Sequence, residues 1–383
     1  MSGASSSRRI LLVTNDLGPR AGGIETFILG LLRYLDGSEL VIYTSAQEGS
    51  TAFDSALAAE RGVIVIRDKS KVLLPSPRVT RSVVRTMREY GSTVVWFGAT
   101  APLAWMAPTL RSNGAKRIVG LTHGHEVWWA KVFPFSLAMR RMGNAMDAVT
   151  YLGDFTRSAI SPAMGEHPEY VRIAPGIDIE HFRPGSGAEI RSTLGIENKR
   201  VIMCVGRLVH RKGQDALIAA MPNIVKRLPE AVLVLVGVGP REKYLRKQVE
   251  RLGLQSSVIF TGRVQYTQLP QYFQAADLFV MPSRSRLAGL EVEGLGIVYL
   301  EASACGIPVI AGKSGGAPDA VLSGETGLLV DGKNPTEISN TIVALLPDRN
   351  RLLAMGKAGN KWVSAEWSWD IWGKKFAALL EQN

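Results

Sequence analysis

Two glutamates, Glu293 and Glu301, flank a glycine-rich segment with seven residues between them. The intervening glycines, Gly294 and Gly296, allow the backbone to approach a ligand closely and leave amide N–H groups free to face an anion. The apolar run 297–300 then favours the start of a helix, whose N-terminus attracts phosphate. The pattern predicts a nucleotide-sugar or sugar-phosphate site, with a diphosphate between two carboxylates that bind hydroxyl groups. The alternative is that Glu293 only caps a helix and Glu301 is solvated.

Two cations follow a predicted strand in the run 206–213. Arg207 follows the apolar segment 201–205 after one glycine, and Lys212 lies just before the next predicted helix. An arginine offers a phosphate a bidentate fork, and a lysine offers it a compact charge. Two fixed cations can neutralise the charge that develops on a departing nucleoside diphosphate without a divalent metal. We therefore expect a diphosphate at Arg207 and Lys212 and no metal cofactor; solvated loop cations are the alternative.

A glycine pair lies near the N-terminus, between a predicted strand and a predicted helix. Gly22 and Gly23 follow the apolar run 10–14 and directly precede the amphipathic segment 24–35. A strand, a glycine loop and a helix in this order are typical of an anion site. The loop lacks the Lys-Ser/Thr ending of a Walker A motif and the full fingerprint of a dinucleotide site. An ordinary tight turn remains the alternative.

Two histidines, His123 and His125, follow the fifth predicted strand. Their spacing suggests metal binding, but no further pair of histidines or cysteines lies nearby, so a metal site is disfavoured. A histidine at the end of a strand can instead bond a sugar hydroxyl. We expect His123 in the binding cleft because it is closer to the strand end, with His125 as the alternative.

Four arginines form one stripe on a predicted helix, at positions i, i+3, i+7 and i+10: Arg78, Arg81, Arg85 and Arg88. The opposite face is apolar, and Lys69 and Lys71 lie just upstream without an intervening acidic residue. A basic amphipathic helix is typical of proteins that bind a membrane surface. Each cation near anionic lipid contributes roughly 1 kcal/mol, so six cations could hold the chain on a bilayer. A solvated helix face is the alternative.

Length and composition limit the class of protein. The 383 residues fit two domains, and the net charge of +11 calls for an anionic partner. Zinc-finger spacing, RNP-type aromatic motifs and long basic blocks are missing, so nucleic acid is disfavoured. No run of about 18 apolar residues is present, so we expect no membrane span. The first apolar run, which begins at Ile10, is too short for the core of a signal peptide. Cys204 and Cys305 lie in apolar segments, which indicates a reduced, cytoplasmic protein.

Short apolar segments alternate with helical segments in both halves of the chain. Most are β-branched runs without polar alternation, as in strands buried on both faces of a parallel sheet. The pattern predicts an α/β protein with two doubly wound, Rossmann-like domains, whose ligands bind beyond the carboxyl ends of the strands, in a cleft between the domains. The predicted strands are 10–14, 40–44, 63–67, 93–97, 117–121, 148–152, 171–174, 201–205, 231–236, 258–261, 278–281, 308–311 and 327–330.

Proline and glycine punctuate the segment 174–192, which we interpret as the linker. The expected domains are 1–185 and 186–364. The tail 365–383 is expected to form one final helix that returns to the first domain, because its tryptophans need a surface on which to pack: Trp367, Trp369 and Trp372.

Taken together, the three motifs resemble those of the retaining glycosyltransferases of the GT4 family, which have the GT-B architecture of two Rossmann-like domains facing across a cleft. The motifs are the glycine pair of the first loop, the run 206–213 and the two glutamates, in order over nearly the whole chain. The segments 122–126 and 289–296 more specifically resemble the mycobacterial-type α-mannosyltransferases of the PimB type. Those enzymes add the second mannose to phosphatidylinositol mannosides from GDP-mannose.

The resemblance implies roles for individual residues. Arg207 and Lys212 would bind the donor diphosphate, Glu293 the hydroxyls of the donor sugar, and Glu301 the ribose. His123 would bond the mannose hydroxyl near the reacting carbon. The phosphate cradle would be completed by Gly22, Gly23, Gly294, Ile297 and Val298. The guanine would face Arg263 and Val264, in a loop after a predicted strand, and the acceptor side would include Asp16 and His125.

The resemblance also implies an activity: mannose transfer with retention from GDP-mannose to an α-1,6 position on the inositol of a phosphatidylinositol mannoside. The enzyme would be peripheral on the cytoplasmic face of the cell membrane and would need no metal. The loop 284–292 is longer and more apolar than in many relatives, which leaves the acceptor open. One alternative is a GT4 enzyme that uses UDP- or ADP-glucose on a soluble or polysaccharide acceptor. Another is a lipid-binding protein of the GT-B fold without activity.

Overall fold

The computed structural model describes residues 9–20 and 22–382. The chain divides into two compact units. The first unit runs to Gly176 and resumes at Trp369, and the second unit spans Ile177–Ser368. The division therefore lies at Gly176 and Ser368, whereas the sequence placed it after residues 185 and 364.

The described part of the first unit is a parallel sheet with helices between its strands. Its strands are β1 Arg9–Thr14, β2 Leu40–Thr44, β3 Ile64–Arg67, β4 Ser92–Phe97, β5 Arg117–Gly120, β6 Ala148–Tyr151 and β7 Glu169–Arg172. Its helices before Gly176 are α1 Gly23–Leu32, α2 Ser50–Arg61, α3 Pro77–Glu89, α4 Ala107–Ser112, α5 Glu126–Lys131, α6 Phe135–Gly143 and α7 Asp154–Met164.

The strand order of this sheet is β3-β2-β1-β4-β5-β6-β7, with parallel pairing throughout. The central strands are buried along almost their whole length, as expected for a sheet covered by helices on both faces. From β1 the chain continues to β2 on one side of the sheet, and from β4 it continues to β5 on the other side. The loops after β1 and β4 therefore diverge, and this point is where open α/β sheets bind ligands.

The described part of the second unit repeats the design. Its helices and strands, in chain order, are α8 Ala188–Leu194, β8 Arg200–Val205, α9 Gln214–Arg227, β9 Ala231–Val236, α10 Glu242–Arg251, β10 Val258–Gly262, α11 Leu269–Gln274, β11 Leu278–Met281, α12 Ile297–Ala304, β12 Val309–Gly312, β13 Gly327–Val330, α13 Pro335–Leu345 and α14 Arg349–Glu366. The strand order is β10-β9-β8-β11-β12-β13, again parallel, so the divergent loops follow β8 and β11.

The C-terminal helix, α15 Trp369–Glu381, belongs to the first unit and packs on α1. The Trp369 ring lies 6.2 Å from the Phe27 ring, and Tyr34 donates a hydrogen bond of 2.8 Å to Asp370. The expectation of a single final helix with three tryptophans was wrong. Trp367 caps α14 and lies at the break between the two helices, with its amide bonded to the Val363 carbonyl.

All thirteen predicted strands are present, with ends within two residues of the prediction. The largest difference is at β7, predicted at 171–174 and found at Glu169–Arg172, because its pairing with β6 starts opposite Ala148. Within residues 9–20 and 22–382, no helix combines the length and apolar character needed to cross a membrane.

Candidate active site

The loop after β8 and the loop after β11 touch at Gly213. This glycine has a φ of +77°, and a Cβ there would overlap the carbonyl oxygen of Pro282. Only glycine combines a positive φ with such a close approach of two backbones. The contact draws Lys212, the preceding residue, to the segment that follows β11.

Lys212 and Arg211 both bind the carboxylate of Glu293. The Lys212 ammonium lies 2.8 Å from Glu293 Oε2, and the Arg211 guanidinium donates to the same oxygen at 2.7 Å. Glu293 is buried, and burial alone would raise the pKa of its carboxyl group. The charges of Lys212 and Arg211 outweigh that effect and lower the pKa. Glu293 is therefore held as a carboxylate beside two cations.

Helix α12 begins directly beyond Glu293. Its N-cap is Gly296, in the left-handed region with a φ of 80° and without a side-chain cap. The first amide groups of a helix have no partner within it, so those of Ile297 and Val298 are available to an anion. Their position beside a buried lysine is the arrangement that binds phosphate.

Glu301 lies one turn into α12 and is buried. Burial raises the pKa of its carboxyl group to about 7, although the charge of Lys212 works in the opposite direction. Among the described residues, Glu301 Oε2 has no hydrogen-bond partner. A buried carboxyl oxygen without a partner is costly unless a ligand satisfies it. Glu301 can therefore accept a ligand hydroxyl.

The loop 206–213 is fixed from behind by a buried arginine, Arg284. Arg284 binds both oxygens of Asp215 at 2.7 Å and donates to His210 Nδ1 at 2.8 Å. Burial, and then the charge of Arg284, lower the pKa of His210, which suits a neutral imidazole that accepts this bond. The network ties the start of α9 and the loop after β8 to the loop after β11.

The first unit carries a different set of groups at its divergent loops. Asp16 follows β1, and Gly22 is the N-cap of α1 with a Cβ position that the Glu25 carboxylate would overlap. Burial, and then the charge of Glu25, raise the pKa of Asp16. Arg20 bonds Glu25 at 2.8 Å and Asp16 at 3.4 Å. In contrast, the space around Gly23 is open, with no atom within 4 Å of an added Cβ.

Both histidines lie at the same edge of this sheet, beyond β5. His123 donates from Nε2 to the Gly98 carbonyl at 2.6 Å, and its pKa is lowered by burial. His125 is exposed, 3.3 Å from the Ala101 carbonyl and 3.3 Å from Glu126. The two rings stack with centroids 6.2 Å apart. Glu126, which also accepts from the His123 amide at 2.9 Å, holds the pair in place.

Family models cover both units. Residues 21–181 match the model for Glycosyltransferase Family 4, and residues 187–362 match the model for Glycosyl transferases group 1. The chain belongs to the family-4 glycosyltransferases. It is 44% identical over 377 residues, 97% of this chain and 98% of the relative, to the GDP-mannose-dependent alpha-(1-6)-phosphatidylinositol monomannoside mannosyltransferase of Mycobacterium tuberculosis. It is 41% identical over 385 residues, 99% of both chains, to the GDP-mannose-dependent monoacylated alpha-(1-6)-phosphatidylinositol monomannoside mannosyltransferase of Corynebacterium glutamicum.

Solved structures of glycosyltransferases share the fold. Anabaena Alr3699/HepE in complex with UDP superimposes with a TM-score of 0.81 at 22% identity over 97% of this chain and 99% of that one. Sucrose-phosphate synthase from Thermosynechococcus elongatus superimposes with a TM-score of 0.78 at 22% identity over 97% of this chain and 98% of that one. At this identity the likeness concerns the fold alone, and that fold is two Rossmann-like α/β domains.

Within this glycosyltransferase, the structure brings Lys212, Glu293 and Glu301 together as a cluster around the start of α12. Arg207 is exposed on the same loop, and its binding to a diphosphate stays a prediction. The same holds for Arg263 and Val264 after β10, as guanine-binding residues. Which histidine bonds a sugar hydroxyl also stays a prediction.

Sequence reasoning missed two arginines near the cluster: Arg211, which binds Glu293, and Arg284, which holds the loop 206–213. Arg211 directly precedes Lys212, and this pair of cations before a helix was the available signal. Arg284 had no such signal, because its partners Asp215 and His210 are about 70 positions away in the chain.

The predicted arginine stripe needs one correction. Arg78 forms a bidentate pair with the buried Asp68, at 2.8 and 2.9 Å, and donates to Ser70 at 2.7 Å. Arg78 therefore holds the segment before α3 in place and differs in this from the rest of the stripe, while its binding to a membrane surface stays a prediction. Arg81, Arg85 and Arg88 remain on the outer face of the helix, beside a groove of about 700 Å³.

Proposed function

We propose that the chain transfers mannose from GDP-mannose to a phosphatidylinositol mannoside, adding the second mannose α-1,6 to the inositol. The observation that carries the proposal is the cluster of Lys212, Glu293 and Glu301 at the start of α12. It offers a cation and helix amides to a diphosphate and two carboxyl groups to hydroxyls. The donor and acceptor follow the two mannosyltransferases that are 41–44% identical over nearly the whole chain.

In this proposal, Lys212 and Arg207 bind the donor diphosphate together with the amides of Ile297 and Val298. Glu293 accepts hydrogen bonds from the mannose hydroxyls, and Glu301 accepts them from the ribose. When the donor enters, the Lys212 ammonium exchanges part of its interaction with Glu293 for the phosphate. Lys212 and Arg207 stabilise the charge on the leaving GDP, so no divalent metal is required.

We further propose that the reaction retains the anomeric configuration through a front-face mechanism. The bond from the anomeric carbon to the phosphate oxygen breaks while the acceptor oxygen approaches from the same side. The leaving phosphate takes the proton of the acceptor hydroxyl. The protein supplies positioning and charge stabilisation, which are the main sources of catalysis when no covalent intermediate forms. On the acceptor side, Asp16 and His125 would orient the lipid headgroup, and His123 the transferred mannose.

Because the proposed acceptor is a lipid, we propose that the protein binds the cytoplasmic membrane surface through α3. Arg81, Arg85 and Arg88 line the groove together with Thr109 of α4 and Asn113 just after it, and the net charge of the chain is +11. Three outward cations would contribute roughly 3 kcal/mol at an anionic surface at low ionic strength. The interaction should weaken as salt screens it.

The first experiment incubates the protein with GDP-mannose and phosphatidylinositol monomannoside in mild detergent, and detects the dimannosylated lipid by mass spectrometry. We expect a gain of one hexose, absent in Lys212→Ala and unchanged by EDTA. GDP release without a lipid product would retain the donor and reject the acceptor. Consumption of UDP-glucose but not GDP-mannose would reject the donor as well.

A further inference from the structure

Helix α6 of the first unit turns large apolar side chains towards the solvent. Phe133, just before the helix, and Leu137, in its first turn, are 77% and 62% exposed. Arg141 follows Leu137 by four residues on the helix, so these two side chains share one face, and Phe133 lies in the turn that leads into the helix. The Arg141 guanidinium lies 4.7 Å from the centre of the Trp105 ring, which is itself exposed. We call Phe133, Leu137, Arg141 and Trp105 the α6 surface.

The α6 surface is not explained by the packing of the helix. The opposite face of α6 supplies the core contacts, through the buried Met139 and Met142. An exposed face of such a helix ordinarily carries polar residues. A cluster of large exposed apolar side chains marks a surface that binds a partner or a membrane.

Aromatic rings support this surface from the side of α5. The Phe135 ring lies 4.7 Å from the Trp128 ring and 4.9 Å from the Trp129 ring, and all three are partly buried. Tryptophan is enriched where proteins meet the interface between water and lipid, because its ring is apolar and its N–H is polar. The rings give the turn between α5 and α6 a rigid base.

The charged side chains of the segment between Glu126 and Asp147 have one sign. The sequence has no acidic residue between Glu126 and Asp147, whereas Lys131, Arg140 and Arg141 lie within that stretch. Apolar and aromatic residues bordered by cations match the composition of segments that lie in the interface of an anionic bilayer. A second copy of the chain is a poor match for this face, since a symmetric contact would place cations against cations.

The surface is also continuous with the residues assigned to the acceptor. Helix α5 begins at Glu126, whose carboxylate accepts from the His123 amide at 2.9 Å and contacts His125 at 3.3 Å. The chain then reaches Phe133 within seven residues. A lipid whose headgroup lies at the histidines can extend its acyl chains along this helical hairpin.

We propose that the α6 surface inserts into the interface of an anionic lipid bilayer, and so brings the acyl chains of the acceptor beside the loop that carries His123 and His125. The proposal rests on the lipid acceptor of the proposed function. It differs from the electrostatic contact of α3, because burial of apolar side chains does not depend on charge screening. Salt therefore separates the two contacts.

The test measures flotation of the full chain with vesicles of phosphatidylglycerol and phosphatidylcholine at low and at high salt. We expect Phe133→Ser/Leu137→Ser to reduce the bound fraction at high salt by tenfold or more. The matched control is Leu353→Ser on α14, because Leu353 is 63% exposed and lies in the other unit. An unchanged high-salt fraction in the double variant, or an equal loss in the control, would overturn the proposal.

A second measurement reports insertion without a loss of function. Cys204 and Cys305 are both buried, so a cysteine introduced as Phe133→Cys can be labelled selectively with a polarity-sensitive fluorophore. We expect a blue shift on addition of vesicles at high salt, and no shift from the same label at Leu353→Cys. If the shift appears in the absence of vesicles and depends on protein concentration, a second copy covers the face and the proposal is wrong.

Kinetics distinguish this proposal from the proposed function. We expect Phe133→Ser/Leu137→Ser to raise KM for phosphatidylinositol monomannoside in vesicles at least fivefold and to leave KM for GDP-mannose unchanged. A deacylated, water-soluble acceptor should be used equally well by variant and wild type. Insertion by a wild-type protein that transfers no mannose would reject the function and retain the surface.

Discussion

The two units share one loop architecture, but the charged side chains at these loops have opposite signs. Both place a strand, a glycine and a helix at the point where the sheet order diverges. After β8, Arg211 and Lys212 surround a buried glutamate. After β1, the charged side chains described are the acidic Asp16 and Glu25, and Arg20 pairs with both of them. We propose that this difference in charge suits the second unit to a diphosphate and the first unit to hydroxyl groups.

The difference shows that two loops with similar backbones can carry charges of opposite sign. The Glu25 carboxylate lies where a Cβ on Gly22 would be, and burial, followed by the charge of Glu25, raises the pKa of Asp16. Positive charge in the first unit instead lies on the surface, on α3 and α6. Each prediction below tests whether this division of charge is functional.

The largest effect is expected for the cation of the second unit. Lys212→Ala should lower kcat/KM for the donor, with a rise of about 3 kcal/mol or more in the activation free energy. The reason is that the charge on the leaving diphosphate then lacks a fixed cation. The measurement is initial rates over a range of GDP-mannose concentrations. The control is Arg246→Ala, which removes an exposed ion pair with Glu242 of 2.9 Å. Rates close to the wild type for Lys212→Ala would remove the assigned role of this loop.

Substitution of the glycines in the two loops should affect the free energy of unfolding to different extents. Gly213→Ala requires a left-handed alanine whose Cβ overlaps the Pro282 carbonyl oxygen, so we expect a loss of about 3 kcal/mol in the free energy of unfolding. Gly23→Ala has open space and should leave that free energy within about 1 kcal/mol. Denaturant titration of both variants measures this.

The activity of the Gly23→Ala variant then tests how closely a ligand approaches this glycine. A methyl group at this position touches nothing in the protein, so any fall in kcat/KM must come from the ligand. Activity equal to that of the wild type would show that no phosphate approaches Gly23. The two loops would then differ in phosphate binding as well as in charge.

How far the sequence could predict this molecule depends on the range of the interactions involved. The strands were predictable because a strand buried on both faces is a continuous apolar run, as at 231–236. Lys212 and Glu293 were predictable because glycines and a helix start accompany them. Arg284 and the pairing of Arg78 with Asp68 were not, because such contacts are set by how loops meet after folding.

Glu301 shows the same limit of sequence-based prediction, here for the pKa of a side chain. Its position in α12 followed from the sequence, but its burial and raised pKa depend on the residues that surround it. A periodic pattern places a residue on a helix without indicating what covers it. The polarity of that environment decides whether a glutamate is a solvated charge or a strained binding group.

Glu301→Gln should therefore separate stability from function. A folded-state pKa of about 7, above the ordinary value of 4.5, means that the unfolded state releases this proton first as the pH rises. The penalty is absent below pH 4.5, grows towards pH 7 and reaches about 3 kcal/mol above it. We expect the variant to unfold at a higher temperature than the wild type at pH 8, and at a similar temperature at pH 4.5.

The same variant should raise KM for GDP-mannose more than it lowers kcat, because a ribose contact acts mainly in binding. Scanning calorimetry of the unliganded proteins at the two pH values provides the first readout, and donor titration the second. Equal unfolding temperatures at pH 8 would show that a partner satisfies Glu301 in solution. Burial also raises the pKa of Asp16 after β1, but Asp16 keeps Arg20 as a partner.

The smallest effect concerns the surface charge of the first unit. Arg81→Gln/Arg85→Gln should weaken binding to anionic vesicles at low salt by about 2 kcal/mol, roughly 30-fold, without a change in unfolding temperature. Arg78→Gln should do the reverse: it should lower the unfolding temperature, because Asp68 loses its bidentate partner, and leave vesicle binding largely intact. Flotation and thermal unfolding of the same preparations measure both. If the three arginines acted alike on vesicles, the pairing of Arg78 with Asp68 would not persist at a membrane, and the first unit would carry its charge along the whole of α3.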